Sequence, residues 1–351
     1  MQHLSHSHFS PRDKGSEVPS ESLNFLHLRH TAALFVLIAH SFALSGKMPT
    51  DVLAAFPALE GIAPLGVTIF FIISGYLVTK SWTQEPSWIV FARKRFLRIY
   101  PAFVTCLIFC ICVGSVFTNL KQDAYWQSSE VMHYFIKNML LQNYPPLPGV
   151  FEGNPFKSVV NGSLWTIPIE VSCYIGVLML GISGLLKSKR RSMACLVAAL
   201  LWVVFWGQNI NIFGATVQSA ALPTYYAAFI FGAIFFQLKE WLSPSMLLSG
   251  CLLVVAWFIP SNNFTHFLGI AALGYFVVNL AQWMGHRWSE KRGSIDLSYG
   301  IYLYAFPIQQ SLSDSFPQDT GWMLLAKTIP LCLICALFSW FVVERPALKL
   351  K

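Results

Sequence analysis

The chain has 351 residues, of which 55% are hydrophobic and only 11% charged, with 29 Phe and 12 Trp. Soluble domains carry about 25% charged residues, so this composition and a mean hydropathy of +0.55 exclude a water-soluble enzyme, and the aromatic content excludes a disordered chain. The formal net charge of +8 would suggest nucleic acid in a soluble protein; in so apolar a chain it reads instead as the Lys and Arg excess of cytoplasmic loops, and no nucleic-acid partner is expected.

In chain order, residues 1–22 are polar and lack an apolar core, so they are neither a signal peptide nor a span. They read as a flexible cytoplasmic tail, in which His3, His6 and His8 belong to a solvated segment. Residues 23–351 read as one membrane domain. Ten apolar segments follow the tail, centred near Val36, Ile69, Phe109, Val177, Leu200, Phe231, Val254, Ala272, Tyr302 and Ile334. A spanning helix needs about 20 apolar residues, so the sequence predicts an all-α, polytopic fold of about ten transmembrane helices around a central cavity. Loop charges alternate with this count. One side carries only Lys47, Lys121, Lys137 and Lys157. The other carries Arg12 and Lys14; Lys80 and Arg93 to Arg98; Lys187 to Arg191; Lys239; Arg287, Lys291 and Arg292; and Arg345 to Lys351. The positive-inside rule then puts both termini in the cytoplasm.

The long connection 118–163 is expected outside the membrane. It holds an amphipathic stretch (131–143) and a Pro-rich aromatic stretch, suited either to sugar rings or to an interfacial helix sealing the outer surface. The eight cysteines all fall in apolar runs, where they act as small hydrophobes, and no metal site is expected.

Ionisable groups inside spans are costly and therefore informative. Arg29 opens the first span and His40 follows eleven residues later, about three helical turns on, which puts both on one face roughly 16 Å apart. Glu170 is the one carboxylate well inside an apolar run, at a depth matching His40. An oriented acid–base pair, a structural hydrogen bond, or two unrelated groups would all fit. Arg95 and Arg98 sit three residues apart in FARKRFLRIYP, on one helical face, and guanidinium forks match phosphate oxygens. A positive-inside anchor is the alternative.

LRHTAALFVLIAHSF, with its Arg-x10-His, resembles the first helix of the membrane acyltransferase-3 family. GVTIFFIISGYLVTKSW is similar to that family's FFxxSG segment, KRFLRIYP to its basic stretch, and GSLWTIPIEVSCY to its Trp-Ser-Leu-x-x-Glu segment. SYGIYLYAFPI and VVERPALKL resemble its last two helices. The resemblance implies transfer of an acyl group, commonly acetyl, from acyl-coenzyme A to a hydroxyl of a surface carbohydrate such as O-antigen or exopolysaccharide. Acetyl-CoA is then a donor substrate rather than a bound cofactor. By position, His40 becomes the catalytic His, with Arg29 as its partner and Glu170 beside it. Arg95 and Arg98 become contacts for CoA phosphates, Phe70, Phe71, Ser74 and Gly75 line the donor path, and Trp165 and Tyr174 belong to the substrate motif. Ala305 stands where relatives often carry a His, leaving His40 as the single candidate base of that kind, and Thr166 replaces the usual Ser. His40 fits either a general base or a covalent acyl carrier. The rival reading is a proton-coupled transporter using His40 and Glu170 as a relay; it would need no phosphate site and would be expected to show paired broken helices.

Overall fold

A computed structural model describes residues 21–47, 62–144, 146–207, 222–242, 245–259, 263–285 and 294–351. Residues 1–20 of the predicted tail, and the basic positions Arg12, Lys14, Arg287, Lys291 and Arg292, lie outside the described residues. Among those described, the fold is all helical, with one isolated bridge between Thr118 and Val150.

The helices are α1 (Glu21–Leu44), α2 (Ile62–Gln84), α3 (Trp88–Phe117), α4 (Gln122–Gln127), α5 (Ser129–Met139), α6 (Thr166–Ile182), α7 (Lys189–Trp206), α8 (Leu222–Leu238), α9 (Met246–Phe258), α10 (Asn263–Gly285), α11 (Ser298–Ser315), α12 (Gly321–Phe338) and α13 (Arg345–Leu348). All ten predicted segment centres fall within helices of this series. Six of those helices, α1, α2, α3, α6, α10 and α12, are long and apolar enough to cross a membrane. The other four depart from that standard for separate reasons. α8 and α9 are apolar but shorter, and α7 opens on Lys189, Arg190 and Arg191. α11 is polar because it touches protein on nearly every face: Gly300 through Gln310 are all buried. Its Gln309 amide donates to the Leu37 carbonyl (2.8 Å) and to Ser41 Oγ (2.7 Å), and Ser313 Oγ donates to the Leu44 carbonyl (2.8 Å). Hydropathy measures fitness for lipid, and a helix enclosed by other helices is released from it.

α12 runs through a π-helical segment, Ser339–Glu344, into α13. The buried Glu344 carboxylate accepts from Ser339 Oγ at 2.9 Å. Pro101 sits inside α3 and Pro307 inside α11, where each removes a donor from the helical ladder.

The connection 118–163 folds onto α3 and α11. Tyr125 Oη donates to the Ile111 carbonyl (2.8 Å), and Asn154 reaches the Gln310 carbonyl and side chain (3.0 and 2.8 Å). Gln310 returns two hydrogen bonds, to the carbonyls of Phe156 and Val159. Within the predicted amphipathic stretch the helix stops at Met139. α5 buries Val131, Tyr134 and Asn138 and leaves Met132 and Ile136 exposed, as an interfacial helix does.

The tightest crossing joins α2 to α8. A Cβ on Gly75 would lie 1.9 Å from the Phe229 carbonyl oxygen, and one on Gly232 would lie 2.0 Å from the Ile72 carbonyl oxygen. Two glycines thus let the two backbones touch, as small residues do between membrane helices. Gly75→Ala should therefore cost about 1–3 kcal/mol through overpacking. Gly250→Ala, where nothing lies within 4 Å of the added carbon, should leave the thermal midpoint of the detergent-solubilised protein unchanged.

Candidate active site

A cavity of about 820 Å³ opens among α1, α2, α3, α6 and α11. On α2 its wall extends from Val67 to Gln84, roughly 25 Å by helix rise. One end is basic: Arg29, Lys80, Lys94, Arg95, Arg98 and Lys351 line it, against Glu85 and Asp296. Deeper in, the lining turns to Phe70, Phe71, Ser74, Glu170, Tyr174, Thr166 and Tyr302.

The basic end is built around one carboxylate. Asp296 Oδ2 accepts from Arg29 Nη1 (2.9 Å) and from Arg98 Nη2 (2.7 Å), and its side chain is only 11% exposed. Its other oxygen accepts from the backbone N–H and hydroxyl of Ser298, at 3.2 and 2.6 Å. The following residue is tied as well: the Leu297 N–H donates to His30 Nε2 at 3.0 Å. Asp296 thereby joins α1, α3 and the start of α11. Burial alone would raise its carboxyl, but Arg98 and Arg29 outweigh that and hold it well below the usual carboxylate range. Arg98 also lies 3.9 Å from Glu344 and stacks over Tyr299.

Arg95 is different. Among the described residues it makes no ion pair. Its guanidinium lies over the rings of Phe91 (5.8 Å) and Tyr174 (5.6 Å), and its Nε is buried without a hydrogen-bond partner. A smaller apolar pocket of about 230 Å³ between α3 and α6 shares Arg95 and Tyr174 with the main cavity.

Past the arginines, Ser74 Oγ donates to Tyr174 Oη (3.3 Å), and Tyr174 Oη donates to Glu170 Oε1. Glu170 and Tyr174 are one helical turn apart on α6, so both face the cavity. Thr166 and Tyr302 share a hydroxyl–hydroxyl contact of 2.6 Å at the inner end, where Tyr302 also meets the edge of Phe70.

Not every predicted residue reaches this cavity. Gly75 is turned to the α2–α8 crossing, because its neighbour Ser74 takes the cavity side and successive helical residues point about 100° apart. Trp165 packs edge-on against Tyr225, which in turn packs against Phe71, so it stands behind the wall. His40 is absent from the lining. It is half-buried and meets the edge of Phe306 at 5.1 Å, and its Nδ1 is buried without a partner. Phe306 also meets Phe156 of the 118–163 connection at 6.0 Å, so His40 belongs to an aromatic cluster under that connection. Glu170 bonds to Tyr174 rather than to His40, and Arg29 bonds to Asp296. The predicted common face of Arg29 and His40 therefore serves two places: the basic end of the cavity, and the packing beneath the connection three turns away.

Asp296 gives no signal in the sequence, because one acid two residues ahead of a helix has no periodicity to betray it. Glu344 gives none either: it sits beyond the last apolar run but inside the continuous helix, only 3% exposed.

The Acyltransferase domain family matches residues 23–344. The chain belongs to the acyltransferase-3 family. With six helices of spanning length and hydropathy among the described residues, this acyltransferase is a multi-pass membrane protein. It is 28% identical over 331 residues to an O-acetyl transferase of Shigella phage Sf6, covering 90% of this chain and 93% of that one. It is also 28% identical over 361 residues to nodulation protein 10 of Rhizobium leguminosarum bv. viciae, covering 93% and 94%. A shorter match, 26% over 151 residues, links 42% of this chain to 36% of the acyltransferase MdmB of Streptomyces mycarofaciens. No solved structure matches the chain.

Two arginines sharing one buried carboxylate make a sensitive joint. Asp296→Asn keeps the shape and removes the counter-charge from both, and breaking a buried pair costs about 3–5 kcal/mol. The variant should unfold at a clearly lower temperature in detergent, with Asp296→Glu restoring part of the loss. A depressed carboxyl contributes stability that is fully present above its unfolded pKa and is lost progressively as pH falls from there through the depressed value. Acidification to about pH 4, near the ordinary Asp value, should therefore leave this joint closed, and the wild-type advantage over Asp296→Asn should persist there.

Proposed function

We propose that this acyltransferase is an O-acyltransferase that moves an acyl group, acetyl in the simplest case, from acyl-CoA to a hydroxyl of a cell-surface carbohydrate or lipid-linked glycan. The observation that carries the reading is the basic end of the cavity. One guanidinium, Arg95, stands there without a carboxylate, beside Arg29 and Arg98, whose shared Asp296 fixes their position. A donor with several phosphates and a long thin arm is the kind of ligand that a basic mouth and a deep, increasingly apolar interior suit. Phe70, Phe71 and Ser74 would flank the thioester arm. The proton-relay transporter is the weaker reading, because Glu170 is bonded to Tyr174 and makes no contact with His40.

The cytoplasm is the source of CoA, which agrees with ten spans, both termini cytoplasmic and a bacterial inner (cell) membrane location. Residues 23–351 then form one catalytic domain after a tail, with 118–163 on the acceptor side. The name of the phage relative, an O-acetyl transferase, supports acetyl transfer to an oxygen. His40, with an unpartnered buried Nδ1 under the connection, serves as base for the acceptor hydroxyl. Proton transfer by a positioned base contributes about 10²–10⁴-fold in rate. Trp165 acts as packing support behind Phe71 through Tyr225.

Radiolabel transfer from acetyl-CoA in membrane vesicles tests this directly. Label should enter a glycan fraction with wild type, and His40→Ala at equal expression should transfer at least about 10²-fold less. Equal label with both proteins would remove His40 from catalysis.

A further inference from the structure

The cavity that holds the arginines contains a hydroxyl already wired to a carboxylate. Ser74 Oγ donates to Tyr174 Oη, and Tyr174 Oη donates to Glu170, so every donor in the chain points toward the acid. The α2–α8 contact at Gly75 holds Ser74 in place, since the backbones touch at the very next residue. His40 does not line this cavity, and Phe306 packs against its ring. A donor thioester lying in the cavity thus meets Ser74 rather than His40.

Resting on the donor reading above, we propose that Ser74 is a nucleophile that takes the acyl group from acyl-CoA before it passes to the acceptor, with Tyr174 and Glu170 as its proton relay. The bond formed is Ser74 Oγ to the acyl carbon, and the bond broken is the thioester C–S. The proton leaving Oγ goes to the Tyr174 oxygen as the Tyr174 proton goes to Glu170, and CoA departs as its thiolate. In the second half the acceptor hydroxyl attacks the Ser74 ester. Oγ then regains its proton back along the relay, while the acceptor's proton passes by way of water to the base proposed at His40, outside the cavity, and from there to solvent. Acyl-CoA and alcohol become ester, thiolate and one proton. This is nucleophilic catalysis in two steps, the hydroxyl being activated by an adjacent base. Arg95 lies over the Tyr174 ring, so a donor gripped by its phosphates sits next to the relay.

A covalent intermediate permits an assay that needs no acceptor. Purified full-length protein in detergent, given acetyl-CoA and isotopically labelled CoA, should exchange label between them. Acid-quenched protein given radiolabelled acetyl-CoA should carry acetyl on the peptide containing Ser74. Ser74→Ala should lose both signals while still binding CoA, and Glu170→Gln and Tyr174→Phe should slow exchange by about 10²-fold or more. Ser74→Cys should carry the label as a thioester that neutral hydroxylamine removes. His40→Ala should trap label on Ser74. Acetyl found on His40, exchange retained by Ser74→Ala, or CoA binding without any exchange in wild type would each overturn the proposal and leave the donor reading standing. Failure of wild type to bind CoA at all would overturn both.

Discussion

A single carboxylate answers two half-buried arginines at the mouth of the cavity. Asp296 holds Arg29 of α1 and Arg98 of α3 through one oxygen, and its other oxygen closes the turn into α11. Three helices distant in sequence are thereby fixed at one point, in a setting where charge is expensive unless paired. The guanidinium left over is Arg95, and its isolation follows from the same arrangement: Asp296 is consumed by the other two, and Glu344 lies beside Arg98. A cavity mouth in which Asp296 fixes Arg29 and Arg98, while the Arg95 guanidinium has no carboxylate among the described residues, is therefore a product of charge counting as much as of shape.

The helices themselves were readable as apolar runs, and their centres all fall where the runs lie. What periodicity does not settle is which neighbour meets which surface. Ser74 and Gly75 are adjacent in one motif, yet the first faces the cavity and the second sits in a backbone crossing. Arg29 and His40 were placed on one face by their spacing, but a helix longer than the cavity carries that face past its end. The polarity of α11 has its own cause: Gln309 and Gln310 weaken its hydropathy because they are spent on carbonyls of α1 and of the 118–163 connection. Asp296 offered no pattern at all. Its importance arises from two arginines that lie 267 and 198 residues away.

The fold separates two kinds of chemistry. The basic end and the Ser74–Tyr174–Glu170 chain share one cavity, while His40 lies with Phe306 and Phe156 beneath the connection. On the proposed reading, with donor and acceptor arriving from opposite faces of a membrane, such a division lets each half exclude water without closing the path of the other. The interlock of Asn154, Gln310 and Val159 keeps the connection seated on α11.

On the proposed reading, Arg95 is the guanidinium left to meet a donor phosphate, whereas Arg98 is already paired with Asp296. The most direct test is the dissociation constant for CoA, measured on the purified protein for wild type, Arg95→Gln and Arg98→Gln, each checked for folding by its thermal midpoint. Loss of a charge-assisted bond of about 1.5–3 kcal/mol predicts that Arg95→Gln weakens binding roughly ten- to hundredfold at an unchanged midpoint, while Arg98→Gln mainly lowers the midpoint. CoA binding by Arg95→Gln as tight as wild type would contradict the account.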